Sequence, residues 1–194
     1  MRLVVATRNE HKLRELSEIL TAFDLAPLPA GTELPPEDGE TFADNALIKA
    51  RAARAATGGA ALADDSGISA RALGGRPGVR SARYAGEDAT DRQNLDLLIE
   101  ELRGESDRGV AYVCVLALVA ADGAETVVEG RCEGTLIDEP RGQGGFGYDP
   151  AFVPDDTGPD DTRTMAELSP AEKHAISHRG RAARALVEAL GTAT

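Results

Sequence analysis

The sequence predicts an α/β protein, and three observations carry that prediction. Short apolar runs alternate with helix-patterned segments through the first half of the chain. Two longer apolar runs then flank a tight polar turn, the pattern of a hairpin. A proline-started helical pattern closes the sequence. At 194 residues the chain is read as one domain over 1–194, or two lobes sharing a sheet, with a sizeable core.

In order, Leu3 to Ala6 is a strand and Thr7-Arg8-Asn9 a turn. Glu10 to Leu20 is a helix, with Leu13, Leu16, Ile19 and Leu20 on one face. Leu25 to Leu28 is a second short strand, followed by an acidic, proline-rich loop. The helix from Thr41 to Thr57 turns Phe42, Ala46, Leu47, Ala50 and Ala53 inward, its alanines allowing a close approach to the sheet. Ala60 to Ala63 ends a buried strand that stops at Asp64-Asp65-Ser66-Gly67. Leu73 to Tyr84, rich in glycine, is a shaped loop rather than an element. Asp91 to Leu102 is an amphipathic scaffold helix. Val110 to Val119 and Thr126 to Ile137 form the antiparallel hairpin, without evident chemistry. Ser169-Pro170-Ala171-Glu172 is a capping box opening a helical pattern to Leu190, which Ser177-His178-Arg179 interrupts with a kink or offset.

Composition narrows the function classes. A formal net charge of −12 argues against a nonspecific nucleic-acid or anionic-membrane surface, yet permits an anionic ligand in a local basic site. No stretch is apolar enough to span a bilayer and the N-terminus lacks a signal-peptide pattern, so a cytoplasmic enzyme or binding domain is expected. Cys114 and Cys132 sit in predicted strands and form no disulfide framework.

Several stretches are candidates for chemistry. Ligands of open α/β sheets gather outside the carboxyl ends of strands, where Asp64 and Asp65 fall. If strand geometry continues, the two carboxylates point in opposite directions, so that one can face a groove and the other the scaffold. The plainer alternative is a polar turn. The Thr7–Asn9 turn ahead of a helix can present backbone N–H groups to a phosphate, and Lys12 in the first helical turn opposes the dipole preference, so it suits an anion or is simply solvated. Glu37, Asp38 and Glu40 form a solvated acidic face or supply one ligand to a hard cation such as Mg²⁺. Asn45 and Lys49, four residues apart, share one helix face. Phe146 and Tyr148 among glycines can cover a flat base or serve as core aromatics.

Taken together these segments resemble the inosine/xanthosine triphosphate pyrophosphatase family over nearly the whole chain. The resemblance lies in Ala6-Thr7-Arg8-Asn9 with Lys12, Glu37 to Phe42 with Asn45-Ala46 and Lys49-Ala50, and Asp64-Asp65-Ser66-Gly67. It continues through Gly75-Arg76-Pro77-Gly78, Ser81 to Gly86, Phe146-Gly147-Tyr148-Asp149-Pro150 and Ser177-His178-Arg179. His174, where the family often has asparagine, and Asp44, where glutamate is common, depart from it.

The resemblance implies an elongated, mixed, twisted sheet flanked by helices with a deep central groove. It implies Mg²⁺-dependent hydrolysis of non-standard purine triphosphates between the α and β phosphorus, and a homodimer. By position Asp65 becomes the catalytic carboxylate, with Glu37 and Asp65 at the metal. Thr7, Arg8, Asn9, Lys12, Lys49 and Ser66 would hold the phosphates. Phe146, Gly147, Tyr148, Asp149, Lys173, Ser177, His178 and Arg179 would form the base pocket, with donors from His178 and Arg179 meeting the 6-keto oxygen. Positive neighbours would keep Asp65 ionised, so that it positions water more than it takes a proton. Two rivals are a pyrophosphatase for modified pyrimidines and a nucleotide sensor without turnover.

Overall fold

The computed structural model describes residues 1–191. Its strands are β1 (Arg2–Val5), β2 (Asp24–Pro27), β3 (Ala61–Ala70), β4 (Gly109–Val119), β5 (Glu125–Leu136) and β6 (Phe152–Pro154), in sheet order β2-β1-β3-β4-β5-β6. The sheet is mixed: β1 pairs in parallel with β2 and β3, whereas β5 and β6 are antiparallel. The helices are α1 (Glu10–Ile19), α2 (Phe42–Thr57), α3 (Asp91–Glu101), α4 (Pro170–Ile176) and α5 (His178–Ala189). None of the described helices is long and apolar enough to cross a membrane.

The chain forms two compact units, and neither is continuous in sequence. The first comprises Met1–Asp65, Cys114–Gly130 and the chain from His178 onward. Its two apolar clusters follow from the period-two alternation of strand side chains. Leu3, Val5, Leu62, Cys114, Leu116 and Leu118 join Leu16, Leu20, Ala182, Ala183 and Leu186 of α1 and α5. The alternate residues Ala61, Ala63, Val115, Ala117 and Val119 meet Ala46, Ala50 and Ala53 of α2. Helices therefore cover both faces, as parallel strands require.

α2 is capped at Thr41, whose hydroxyl accepts from Asp44 N at 3.1 Å while Thr41 N donates to Asp44 Oδ2 at 3.1 Å. The shorter Asp44 side chain thus closes the reciprocal box that a glutamate would close.

The second unit comprises Ser66–Val113 and Arg131–Ser177. Ile68, Val110, Tyr112, Cys132, Leu136 and Phe152 make its core with Leu95, Leu98, Ile99 and Leu102 of α3. Both cysteines are buried thiols outside any disulfide.

Two local expectations change, and the interruption expected at Ser177-His178-Arg179 is present. β3 does not stop at the carboxylates but runs on to Ala70, because Asp64 and Asp65 find polar partners that let charged side chains stay inside a strand. Within 73–84 a 3-10 helix forms at Gly78–Arg83, fastened by Ser81 Oγ, which accepts from Ile68 N at 2.8 Å and donates to Gly78 O at 2.6 Å. The helical pattern after Ser169 breaks at Ser177, whose extended backbone (ψ 152°) separates α4 from α5.

Candidate functional site

The first unit's site follows from strand parity. Asp64 continues the Leu62 side of β3 and faces α1 and α5, whereas Asp65 continues the Ala61–Ala63 side and faces α2. Neither lies in a turn.

Asp64 is fully buried and divides its two oxygens. Oδ1 lies 2.6 Å from Lys12 Nζ. Oδ2 accepts from Arg179 Nε at 2.9 Å and from Cys114 Sγ at 3.1 Å. Arg179 Nη1 also donates to Glu15. Burial alone would raise the Asp64 pKa, but the Arg179 guanidinium and then Lys12 hold it well below the usual carboxylate range. Burial, followed by the Asp64 charge, pushes the Cys114 thiol up, so it stays a neutral donor.

Asp65 is 5% exposed. It accepts from Asn45 Nδ2 at 3.2 Å and Lys49 Nζ at 3.3 Å. Lys49 Nζ also donates to Glu37 Oε1 at 2.7 Å and to Asp64 O at 2.8 Å. Burial would lower the Lys49 pKa, yet Asp65 and Glu37 together raise it. For Asp65 burial is the largest influence and raises the pKa against Lys49 and Lys12, with Glu37 and Asp64 pushing the same way. The positive neighbours thus act on Asp65 in the expected direction, and burial acts against them.

Of the three loop acids, Glu37 is the one on Lys49, while Asp38 and Glu40 are exposed. The intervening Gly39 explains the close approach of the loop to α2. Its N donates to Asn45 Oδ1 at 2.8 Å, and a Cβ there would lie 2.6 Å from Asp44 Cβ.

The first turn holds together largely by its own contacts. Asn9 caps α1, accepting from His11 N and Lys12 N, and Thr7 Oγ1 accepts from Asn9 N at 3.1 Å. Arg8 is tied to Thr32 O at 2.9 Å and lines a surface cavity with Thr7, Asn9 and Pro29. The anion that Lys12 meets is Asp64 itself. Ser66 follows Asp65 on β3 and is half-buried.

The second unit gathers another set. Asp149 Oδ2 accepts from Lys173 Nζ at 2.8 Å and Phe146 N at 3.0 Å, and Oδ1 accepts from Tyr112 Oη at 3.0 Å. The Lys173 ammonium lies 5.3 Å from the centre of the half-buried Phe146 ring. Gly145, at φ +70°, passes so close to Asp149 Oδ2 that a Cβ would lie 2.0 Å from it. Gly147 N donates to Asp91 Oδ2 at 2.8 Å.

Two residues of the expected base pocket are otherwise engaged. Tyr148 belongs to the core, its hydroxyl donating to Ser81 O at 2.7 Å, the common arrangement for a buried tyrosine. Arg179, 1% exposed, donates from Nε and Nη1 to carboxylates of the first unit. Ser177 is buried at the end of α4, its N donating to Lys173 O at 2.8 Å, and buried His178 opens α5.

Sequence reasoning missed Glu15, Cys114 and Tyr112. Glu15 is three residues beyond Lys12 on α1, the spacing of a shared face. Cys114 and Tyr112 alternate on an otherwise apolar strand, where a buried hydroxyl or thiol signals a polar partner.

The first unit pairs two strand carboxylates with lysines, and the second sets a lysine beside an aromatic ring, on an α/β fold. The chain belongs to the Ham1 family, whose sequence pattern it matches over residues 3–189. It is 51% identical over 199 positions to the dITP/XTP pyrophosphatase of Mycolicibacterium paratuberculosis, covering 98% of this chain and 96% of that one. Among solved structures it is similar to a HAM1 protein from Coxiella burnetii, with TM-score 0.89, 42% identity and full coverage of both chains. It is also similar to the nucleoside-triphosphatase/dITP/XTP pyrophosphatase of Mycobacterium abscessus, with TM-score 0.76, 48% identity, and 96% and 99% coverage of the two chains.

Proposed function

We propose that this protein hydrolyses non-standard purine nucleoside triphosphates, those of inosine, deoxyinosine and xanthosine, to the monophosphate and pyrophosphate, keeping such bases out of nucleic acid. The observation that carries the reading is the buried Asp65 carboxylate, held by Asn45 and Lys49 with Glu37 on the same ammonium. Relatives about half identical over nearly the whole chain bear the pyrophosphatase name.

In this reading Asp65 orients the attacking water and accepts its proton. Burial opposes its ionisation, whereas Lys49, Lys12 and a bound Mg²⁺ would favour the carboxylate form that accepts a hydrogen bond from the water. Lys49 and Lys12 stabilise charge that builds on phosphoryl oxygens as the pyrophosphate leaves. Asp64 acts indirectly, fixing Lys12 from one oxygen while Arg179 and Cys114 fix the other.

No cluster of three or more His, Cys, Asp or Glu side chains suited to a metal occurs among the described residues. The donor set still fits Mg²⁺, which uses only one or two protein carboxylates beside substrate phosphates. Glu37 and Asp65 already turn one oxygen each toward a common cation, the Lys49 ammonium. These two would hold the ion, which when bound supplies charge neutralisation on the phosphates.

Phe146 offers a stacking face for the base, and Lys173 beside it is a donor-only group. An ammonium satisfies a 6-keto oxygen and opposes the 6-amino group of adenosine, and a buried unpaired donor costs about 1–3 kcal/mol.

The test is a kinetic panel of purine and pyrimidine triphosphates with Mg²⁺, resolving the phosphate product. Pyrophosphate release with preference for keto purines is expected, and chelation of Mg²⁺ should abolish it. Orthophosphate as product, or binding without turnover, defeats the reading.

A further inference from the structure

Asp91, the first residue of α3, makes a contact that the proposed chemistry leaves unused. Its Oδ2 accepts from Gly147 N at 2.8 Å, joining positions 56 residues apart. The preceding amide, Phe146 N, donates to Asp149 Oδ2 at 3.0 Å. Two successive N–H groups of the aromatic loop thus end on two carboxylates from different elements. Asp149 is itself held by Lys173 and Tyr112. Asp91 stands on a helix that is anchored independently: Asn94 donates to Ala82 O at 3.1 Å and accepts from Ala85 N at 2.8 Å. Leu95 and Leu98 are buried in the core. Asp91, Phe146 and Gly147 line one cavity of about 250 Å³.

An aspartate at this position also suits the positive end of the helix dipole. That benefit depends on charge, whereas holding the loop depends on an acceptor atom, so the two can be separated.

We propose that Asp91 is a positioning residue for the aromatic loop: by accepting from Gly147 N it sets the place of the Phe146 ring and hence the affinity for a purine base. The affinity part rests on the reading that Phe146 covers the base.

The chain contains no tryptophan, so Phe146→Trp places a single indole in the loop. In that background, without nucleotide, Asp91→Ala lowers indole anisotropy and raises acrylamide quenching about twofold, while Asp91→Asn, which keeps an acceptor oxygen, changes neither. With Phe146 in place, Asp91→Ala raises KM for inosine triphosphate about tenfold and leaves kcat within about twofold, and Asp91→Asn stays near the parent. Unchanged quenching in Asp91→Ala, or Asp91→Asn as impaired as Asp91→Ala, overturns the proposal. A loosened indole with a parental KM overturns its link to affinity. If the unaltered protein releases no pyrophosphate from any purine triphosphate, the hydrolase reading fails, and the indole comparison still decides whether Asp91 positions the loop.

Discussion

Asp64 and Asp65 are chemically identical neighbours with opposite electrostatic fates. One faces a guanidinium and an ammonium, and its pKa falls; the other is governed by burial, and its pKa rises. Asp65→Asn should cut turnover about 10²–10⁴-fold, the usual contribution of a positioned acid–base group, while inosine triphosphate still binds. Full activity in that variant would remove Asp65 from its role. Arg179→Ala strands Asp64 and Glu15 without their guanidinium. A loss of about 3–5 kcal/mol in denaturant unfolding is expected, with turnover falling on every nucleotide alike. A selective change in inosine-over-adenosine preference at parental stability would instead return Arg179 to the base. The alternation of the two aspartates was legible, since strand geometry alone sets it. The identity of their partners was not, because Arg179 lies 115 positions from Asp64 and only the tertiary fold brings it there.

The stretch from Pro35 through α2 acts as a single device. The Thr41 box fixes where the helix begins, Asn45 and Lys49 descend one face to Asp65, and Gly39 lets the acidic loop settle on Asn45. Gly39→Ala should displace the loop and with it Glu37, costing about 1–3 kcal/mol of stability. If Glu37 helps hold Mg²⁺, the metal concentration for half-maximal activity rises in the same variant, which a magnesium titration reads directly. Helix limits here were legible to within a residue, because capping residues and apolar period agree. The choice of Glu37 over Asp38 and Glu40 was not legible, since three acids in four positions look alike until one meets Lys49. The true end of β3 was hidden for a related reason: charged residues read as a strand terminus when their counter-charges are remote.

All three tyrosines lie in the second unit, and all have raised pKa values. Burial, followed by the Glu101 hydrogen bond, pushes Tyr84 up to about 12. Burial also raises Tyr112 and Tyr148, with Asp149 adding to the first and Tyr84 to the second. Unfolded tyrosine titrates near 10, so the folded chain keeps protons that the unfolded chain loses. Their stabilising contribution is complete below about pH 10 and disappears as pH rises through the folded values. Unfolding titrations should show stability declining above about pH 10, with phenolate absorbance appearing only as the protein unfolds. Ordinary phenolate absorbance in the folded protein near pH 10 would contradict this. Broad class and helix order were legible across the molecule because periodicity is local. The commitment of Tyr148 to the interior was not, since a tyrosine in a glycine-rich loop looks the same whether its hydroxyl meets ligand or Ser81.

The backbone passes from one unit to the other at Asp65–Ser66, Val113–Cys114, Gly130–Arg131 and Ser177–His178. No single break can therefore release an intact half: a truncated gene encoding residues up to Asp65 would lack β4 and α5, which supply Asp64 with Cys114 and Arg179. Dissection of this enzyme is better attempted by circular permutation at the exposed Asp122–Gly123 turn than by cutting it into fragments.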